Sequence, residues 1–243
     1  MKVIKLDAID STNDFLKGLS QTQNMENFTI VTANSQTKGK GQMGSSWQTE
    51  RGKNLITSIL IRDTLTSIEG IFVLNIAVAL AIIGALKKYK IPHLFIKWPN
   101  DIMAENKKIA GILIENSIKE NGRIDSIVGI GLNVNQTNFE NLPKASSLKN
   151  HMNLDFDIES LLESIVSEIQ TNVEKIRNNE TEFLWKKYTA NLFRKDSPTV
   201  FEDQNSIKFM GLIQRVNSDG KLEILLEDDS VKQFGIKEVT MIY

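Results

Sequence analysis

Apolar and polar positions divide the chain into short strand-like runs, two long helical stretches and a tail of brief strands. Val3 to Leu6 reads as a first strand. After Asp10, Phe15, Leu16 and Leu19 recur at helical spacing, with Ser11 and Asp14 in capping-box positions where Asp replaces the usual Glu or Gln. Phe28 to Ala33 and Asn54 to Arg62 predict further strands, and Ser67 to Tyr89 a helix whose Lys87 and Lys88 suit the negative end of its dipole. Leu94 to Trp98 enters a β-hairpin, Pro99-Asn100-Asp101 breaks it and Ile102 to Ala104 resumes. Glu105-Asn106-Lys107 then turns, and Lys108 to Glu115 returns. Ile124 to Val134 is another strand. Asp157 caps an amphipathic helix in which Ile158, Leu161, Leu162, Ile165, Val166, Ile169, Val173 and Ile176 repeat at three and four, and Thr181 to Leu192 makes one more.

From Arg194 the period shortens. Thr199 to Glu202, Ile207 to Val216, Leu222 to Glu227, Val231 to Phe234 and Val239 to Tyr243 are short strands, with Asn217-Ser218-Asp219-Gly220 as a hairpin turn. This pattern predicts a small barrel and a domain boundary near Phe193, dividing the chain into 1–193 and 194–243.

Composition narrows the chemistry. A chain of 243 residues has room for one substantial core and a small second unit, and its formal charge of −1 gives no general attraction to nucleic acid or to an acidic membrane. With no cysteine there is no disulfide and no thiolate, and the two histidines, His93 and His151, lie far apart in sequence. Ile71 to Leu86 is interrupted by Asn75 and is shorter than the ~20 residues of a membrane helix, so a buried core helix is expected. The N-terminus lacks a secretory pattern, and the expected address is the cytoplasm.

Candidate chemistry concentrates in three stretches. Lys97-Trp98-Pro99-Asn100-Asp101, followed by Lys108 to Glu115, sets two lysines among apolar runs, where burial without partners is costly and an anionic ligand between them is suggested. Gly111 removes a side chain from that surface, as a strand glycine does where a ligand approaches. Asn34 to Trp47 holds Gly39, Gly41, Gly44, Lys38 and Lys40 in a loop whose N–H groups can wrap an anion, although it is neither a Walker loop nor a dinucleotide fingerprint. Gly129-Ile130-Gly131-Leu132-Asn133 offers a flat strand with a polar end.

In this order, Ser11-Thr12-Asn13, the Gln36 to Trp47 loop, the Trp-Pro-Asn-Asp hairpin with Lys108 to Leu113, and Gly129 to Asn133 resemble the catalytic domain of biotin protein ligases over residues 3 to 192. The tail is similar to that family's SH3-like domain. The resemblance implies an α+β fold: a mixed β-sheet with flanking helices, of the class II synthetase-like biotin/lipoate ligase superfamily, plus a small C-terminal SH3-like barrel. It also implies a two-step reaction. Biotin and ATP give biotinyl-adenylate and pyrophosphate, and a lysine of the biotin carboxyl carrier domain of acetyl-CoA carboxylase or a related carboxylase then takes the biotinyl group. By the same resemblance Lys108 makes the catalytic contact and Lys97 a phosphate contact. Ser11, Thr12, Asn13 and Gln36 bond the ureido ring, while Gly111, Leu113 and Gly129 floor the apolar part of biotin. The loop residues Gly39, Lys40, Gly41 and Gln42 wrap the ligand, Trp47 closes over it, and Lys40, Asn100 and Asn133 face the nucleotide. Magnesium is implied by the nucleotide alone, and Asp101 is compatible with a structural role.

Two departures carry expectations. Arginine-rich relatives have Gly-Arg-Gly-Arg-Arg-Gly-Arg, whereas this loop reads Gly39-Lys40-Gly41-Gln42-Met43-Gly44-Ser45, so easier escape of the adenylate is expected here. Some relatives carry a DNA-reading domain before Ser-Thr-Asn, which here stands at residues 11–13, so a monofunctional ligase without operator binding is expected. A homodimer stays open. Two other readings compete: a lipoate or octanoate ligase of the same superfamily, disfavoured by the polar Ser-Thr-Asn and Gln36 set, and a non-catalytic biotin sensor, disfavoured by Lys108.

Overall fold

The computed structural model describes residues 2–65, 67, 70–119 and 122–243, so Ile68 and Glu69 of the expected second helix lie outside the described residues. Seven strands form one sheet: β1 (Val3–Ile9), β2 (Ile30–Gln36), β3 (Leu55–Ile61), β4 (Leu94–Lys97), β5 (Asp101–Ala104), β6 (Lys107–Ile118) and β7 (Ile124–Leu132). Their order is β1-β2-β3-β7-β6-β5-β4. β1 and β2 run parallel and the other neighbours antiparallel, which gives the expected mixed sheet. The single expected hairpin is a three-stranded meander, because both Pro99-Asn100 and Glu105-Asn106 reverse the chain.

Each face of this sheet is covered differently. β3 is buried along its whole length because α1 (Thr12–Thr22) packs on one face and α2 (Ile71–Lys88) lies beyond the other, which explains its nearly continuous apolar run. Leu16, Val31, Leu60 and Ile127 form the smaller cluster under α1, while Ile30, Ile59, Val128 and Ile130 face the larger core. α2 is apolar all round because α4 (Ile158–Arg177) and α5 (Thr181–Ala190) enclose its outer side. By length and composition it is long and apolar enough to cross a membrane, but it is mostly buried here as a core helix. The short α3 (Leu148–Met152), capped by Ser147, is an element the apolar pattern did not reveal.

The tail folds into β8 (Thr199–Asp203), β9 (Lys208–Val216), β10 (Leu222–Leu226), β11 (Val231–Phe234) and β12 (Val239–Ile242). All five expected strands are present, without a closed barrel among the described residues. The order β11-β10-β9-β8-β12 is an open antiparallel sheet, with no pairing between the edge strands β11 and β12 among the described residues. It packs on the first unit instead of standing apart. Trp98 Nε1 donates to Gly220 O at 2.9 Å, Phe72 lies against Gly220, and Phe193 meets Tyr243 edge to face.

Candidate active site

A cavity of about 330 Å3 opens on the α1 face of the large sheet. Its floor follows from strand register. Ser58, Gly129 and Leu113 are paired across β3, β7 and β6, and two residues along, Ile56, Gly131, Gly111 and Asp101 form the next row, ending on β5. Side chains alternate across a strand, so both rows share one face, and their glycines leave a trough where other residues would fill it.

Lys108 reaches that trough through an irregularity. Strict alternation from Gly111 would put it on the core face with Ala110 and Ile112. The register of β5 and β6 shifts between Ile102 and Met103, so β6 carries an extra residue and re-aims Lys108. Its ammonium lies 2.6 Å from Asp101 Oδ1 and 5.4 Å from the centroid of the Trp47 ring. Asp101 is shared, since Lys97 Nζ lies 3.9 Å from its other oxygen. Burial holds the Lys97 ammonium below the ordinary lysine range, Asp101 opposes that shift, and Lys108 and Lys144 reinforce it.

The far wall is a hydrogen-bond chain at the start of α1. Ser11 caps the helix by accepting the Asp14 N–H at 3.3 Å. Only this arm of the capping box is realised, because the Asp14 carboxylate turns to Lys40, 2.7 Å away. Gln36 Oε1 accepts from Thr12 N at 2.7 Å and from Thr12 Oγ1 at 3.0 Å. Ser58 donates to Asn13 Oδ1 at 2.6 Å, and Asn13 Nδ2 donates to Glu115 Oε2 at 2.9 Å. This wall therefore offers neutral, oriented donors and acceptors. The Gln36 amide N–H groups have no protein acceptor among the described residues.

The glycine loop closes the top. Gly39 and Trp47 are paired through the Trp47 N–H, Lys40 bridges to Ser46, and a tight turn spans Gln42–Gly44. Gly39 backs directly on the Trp47 carbonyl, so a side chain there would collide. The indole lies on the trough: a Cβ at Gly131 would stand 2.6 Å from Nε1, and one at Gly111 3.2 Å from Cζ3. Trp47 Nε1 is buried without a hydrogen-bond partner. Both loop lysines are engaged, Lys38 with Asp10 at 2.8 Å and Lys40 with Asp14, which raises the Lys40 pKa through that hydrogen bond.

Of the residues singled out in the sequence, Ser11, Thr12, Asn13, Gln36, Lys40, Gly41, Gln42, Trp47, Asn100, Lys108, Gly111, Leu113 and Gly129 line one cavity. Three do not. Gly39 lies behind the loop. Lys97 lines an adjoining cavity of about 190 Å3 between the two sheets. Asn133 is turned away, its amide donating to Ser146 O at 3.0 Å. Asn100, although lining, spends its amide on Ile112 O at 2.6 Å. Sequence reasoning missed Ser58, Glu115, Gly131 and Lys237. Gly131 sits inside a stretch already read as flat, but Lys237 comes from the tail and donates to Met43 O at 2.8 Å, a contact without a local signal.

No group of three or more His, Asp or Glu side chains among the described residues is arranged to hold a metal. Among the described residues Asp101 is the single carboxylate lining the cavity, and two lysines face it.

A family model described as the biotin/lipoate A/B protein ligase family matches residues 6–135. The chain belongs to that family. It is 33% identical over 134 residues to the bifunctional ligase/repressor BirA of Bacillus spizizenii, an alignment covering 55% of this chain and 41% of that protein. It is 26% identical over 196 residues to the biotin–[acetyl-CoA-carboxylase] ligase of Mycobacterium tuberculosis, covering 79% of this chain and 71% of that one. The biotin protein ligase of Aquifex aeolicus, solved in complex with biotin and ATP, superposes with a TM-score of 0.80 at 26% identity, covering 99% of this chain and 98% of that one. The chain thus spans about two fifths of the length of the BirA relative and nearly all of the Aquifex enzyme.

Proposed function

We propose that this protein is an ATP-dependent biotin protein ligase. It joins biotin to ATP to form biotinyl-5′-AMP and pyrophosphate, then passes the biotinyl group to a lysine of a biotin carboxyl carrier domain. The observation that carries this reading is a lysine, Lys108, re-aimed over a glycine trough whose far end is a neutral hydrogen-bonding wall. A ureido ring has two N–H donors and a carbonyl, which suits Thr12, Asn13, Ser58 and Gln36; an apolar chain suits the glycine floor with Leu113. The carboxylate then lies toward Lys108.

In the first step a carboxylate oxygen of biotin attacks the α-phosphorus, a new P–O bond forms and the bond to the β-phosphate oxygen breaks, releasing pyrophosphate. Two anions must meet, and Lys108 offsets their repulsion and stabilises charge developing on the phosphoryl oxygens. Asp101 positions that ammonium without neutralising it alone, because Lys97 shares the same carboxylate. In the second step the carrier lysine amine attacks the acyl carbon, an amide forms, and AMP leaves. Trp47, folded over the trough, keeps water from the mixed anhydride. Magnesium would come with the nucleotide, and no step is assigned to a metal held by the protein.

The same reading divides the chain at residue 193, takes a carboxylase's carrier domain as the protein partner, and places the enzyme in the cytoplasm, with no membrane or operator DNA among its partners. A homodimer would be one further arrangement of this domain pair.

The test is pyrophosphate release with biotin, ATP and magnesium, repeated with lipoate and with Lys108→Ala. Biotin-dependent release that falls on the order of 10²- to 10³-fold in the variant is expected, the range found when a preorganised charge-stabilising group is lost. Release with lipoate alone would move the chain to the other branch of its family. Tight biotin binding without release would make it a sensor.

A further inference from the structure

Beside the cavity, Lys97 and Lys144 converge on one aromatic ring. Lys97 Nζ lies 5.5 Å and Lys144 Nζ 4.5 Å from the centroid of Tyr243. Neither position is accidental to the fold. Lys144 follows Pro143 in the segment that runs beside β6: the Lys108 N–H donates to Lys144 O at 2.8 Å, and Ser146 N–H donates back to Lys108 O at 3.0 Å. Asn133 pins the same segment through Ser146 O. The backbone that presents Lys108 therefore also presents Lys144.

The charges around this ring do not balance. Lys97 and Lys108 share one carboxylate, Asp101, which lies 2.6 Å from Lys108 and 3.9 Å from Lys97. No carboxylate among the described residues stands within salt-bridge distance of Lys144. A π face offsets only part of the repulsion between two ammonium groups placed on it. Lys97 records that repulsion, since Lys108 and Lys144 both disfavour its charged form. Such an excess of positive charge is stable beside a polyanion and wasteful without one.

We propose that Lys144, together with Lys97 and the ring of Tyr243, forms the subsite that holds the β- and γ-phosphates of the nucleotide and the departing pyrophosphate. This assignment rests on the ligase reading and deepens it. Lys108 serves the reacting α-phosphate, whereas Lys144 binds the leaving group and touches no atom of biotin. Tyr243 brings the second sheet into the site: its aromatic face keeps the two ammonium groups at a fixed separation for a bridging polyphosphate.

The experiment has two arms. In the first, KM for ATP and KM for biotin are measured by pyrophosphate release for the wild type, Lys144→Ala, Lys144→Arg and Tyr243→Leu. Lys144→Ala is expected to raise KM for ATP about tenfold, the scale of one lost charge-assisted contact, with KM for biotin unchanged and near recovery in Lys144→Arg. In the second, inorganic pyrophosphate is titrated as a melting-temperature probe, which needs no turnover. The wild type should be stabilised and Lys144→Ala much less so. An unchanged ATP KM together with unchanged pyrophosphate stabilisation would overturn the subsite, as would a parallel loss of biotin affinity, which would mark Lys144 as merely structural. If the wild type binds pyrophosphate through Lys144 but releases none from ATP and biotin, the ligase reading fails and the anion site stands.

Discussion

Lys97 is the residue whose environment bears most directly on pH. Its ordinary value would be 10.5, and burial lowers it, so in the window below 10.5 the unfolded chain binds this proton more readily than the folded one. The sign follows: protein stability gained from this group rises with pH through that window, because the cost of burying the charge disappears as the proton leaves. A bound polyphosphate has the opposite preference and favours the proton. Nucleotide binding should therefore take up a proton on the alkaline side, and kcat/KM for ATP should begin to fall below the pH at which an ordinary lysine titrates. Lys97→Arg keeps its charge throughout and should move that limb upward in a pH profile; an unmoved limb would take Lys97 out of nucleotide binding. At the same scale, the neutral wall depends on Asn13, whose amide is oriented by Ser58 on one side and Glu115 on the other.

At the scale of elements, β7 carries a prediction of its own. A Cβ at Gly129 would collide with Asn13 Oδ1 and crowd Asn13 Cγ at 3.0 Å and Nδ2 at 3.1 Å, so the Asn13 amide would have to move. Gly129→Ala should push Asn13 off Ser58 and Glu115, raising KM for biotin by about tenfold or more as two oriented hydrogen bonds are lost, while KM for ATP changes little. Titration of biotin by tryptophan fluorescence and of ATP by pyrophosphate release would separate the two; equal changes in both would argue against a biotin end at α1. The strands and helices themselves were legible because their apolar periods are clear, as with Ile158 to Ile176 in α4. Less legible were the reversal at Pro99-Asn100, which reads as a break within one run, and α3, whose five residues are too few to show a period.

For the molecule as a whole, the two sheets are coupled through few contacts near the site. Trp98 Nε1 to Gly220 O joins them under the hairpin, and Lys237 to Met43 O joins them above the loop. Trp98→Phe should strand the buried Gly220 carbonyl and cost about 1–3 kcal/mol in global stability. Hydrogen exchange should quicken in β9 and β10 more than in β3 and β7. Uniform exchange across both sheets would mean that the tail is held by other contacts, such as Phe193 on Tyr243.

By itself the sequence determined the elements and the chemical inventory. Apolar period specified most strands and helices, and the spacing of Ser11-Thr12-Asn13, the glycine loop, Lys97 to Asp101, Lys108 to Gly111 and Gly129 named the family's motifs. What needed tertiary structure was everything set by register and by approach from a distant segment. The shift between β5 and β6 decides that Lys108 faces the trough, because one extra residue inverts which side of a strand a side chain takes. The turn of Asn133 to Ser146, the sharing of Asp101 between two lysines, and the arrival of Tyr243 and Lys237 from the second sheet depend on packing between residues far apart in the chain. The open edge between β11 and β12 belongs to the same class, since closing a barrel depends on strand tilt and stagger, quantities that hydropathy alternation does not encode.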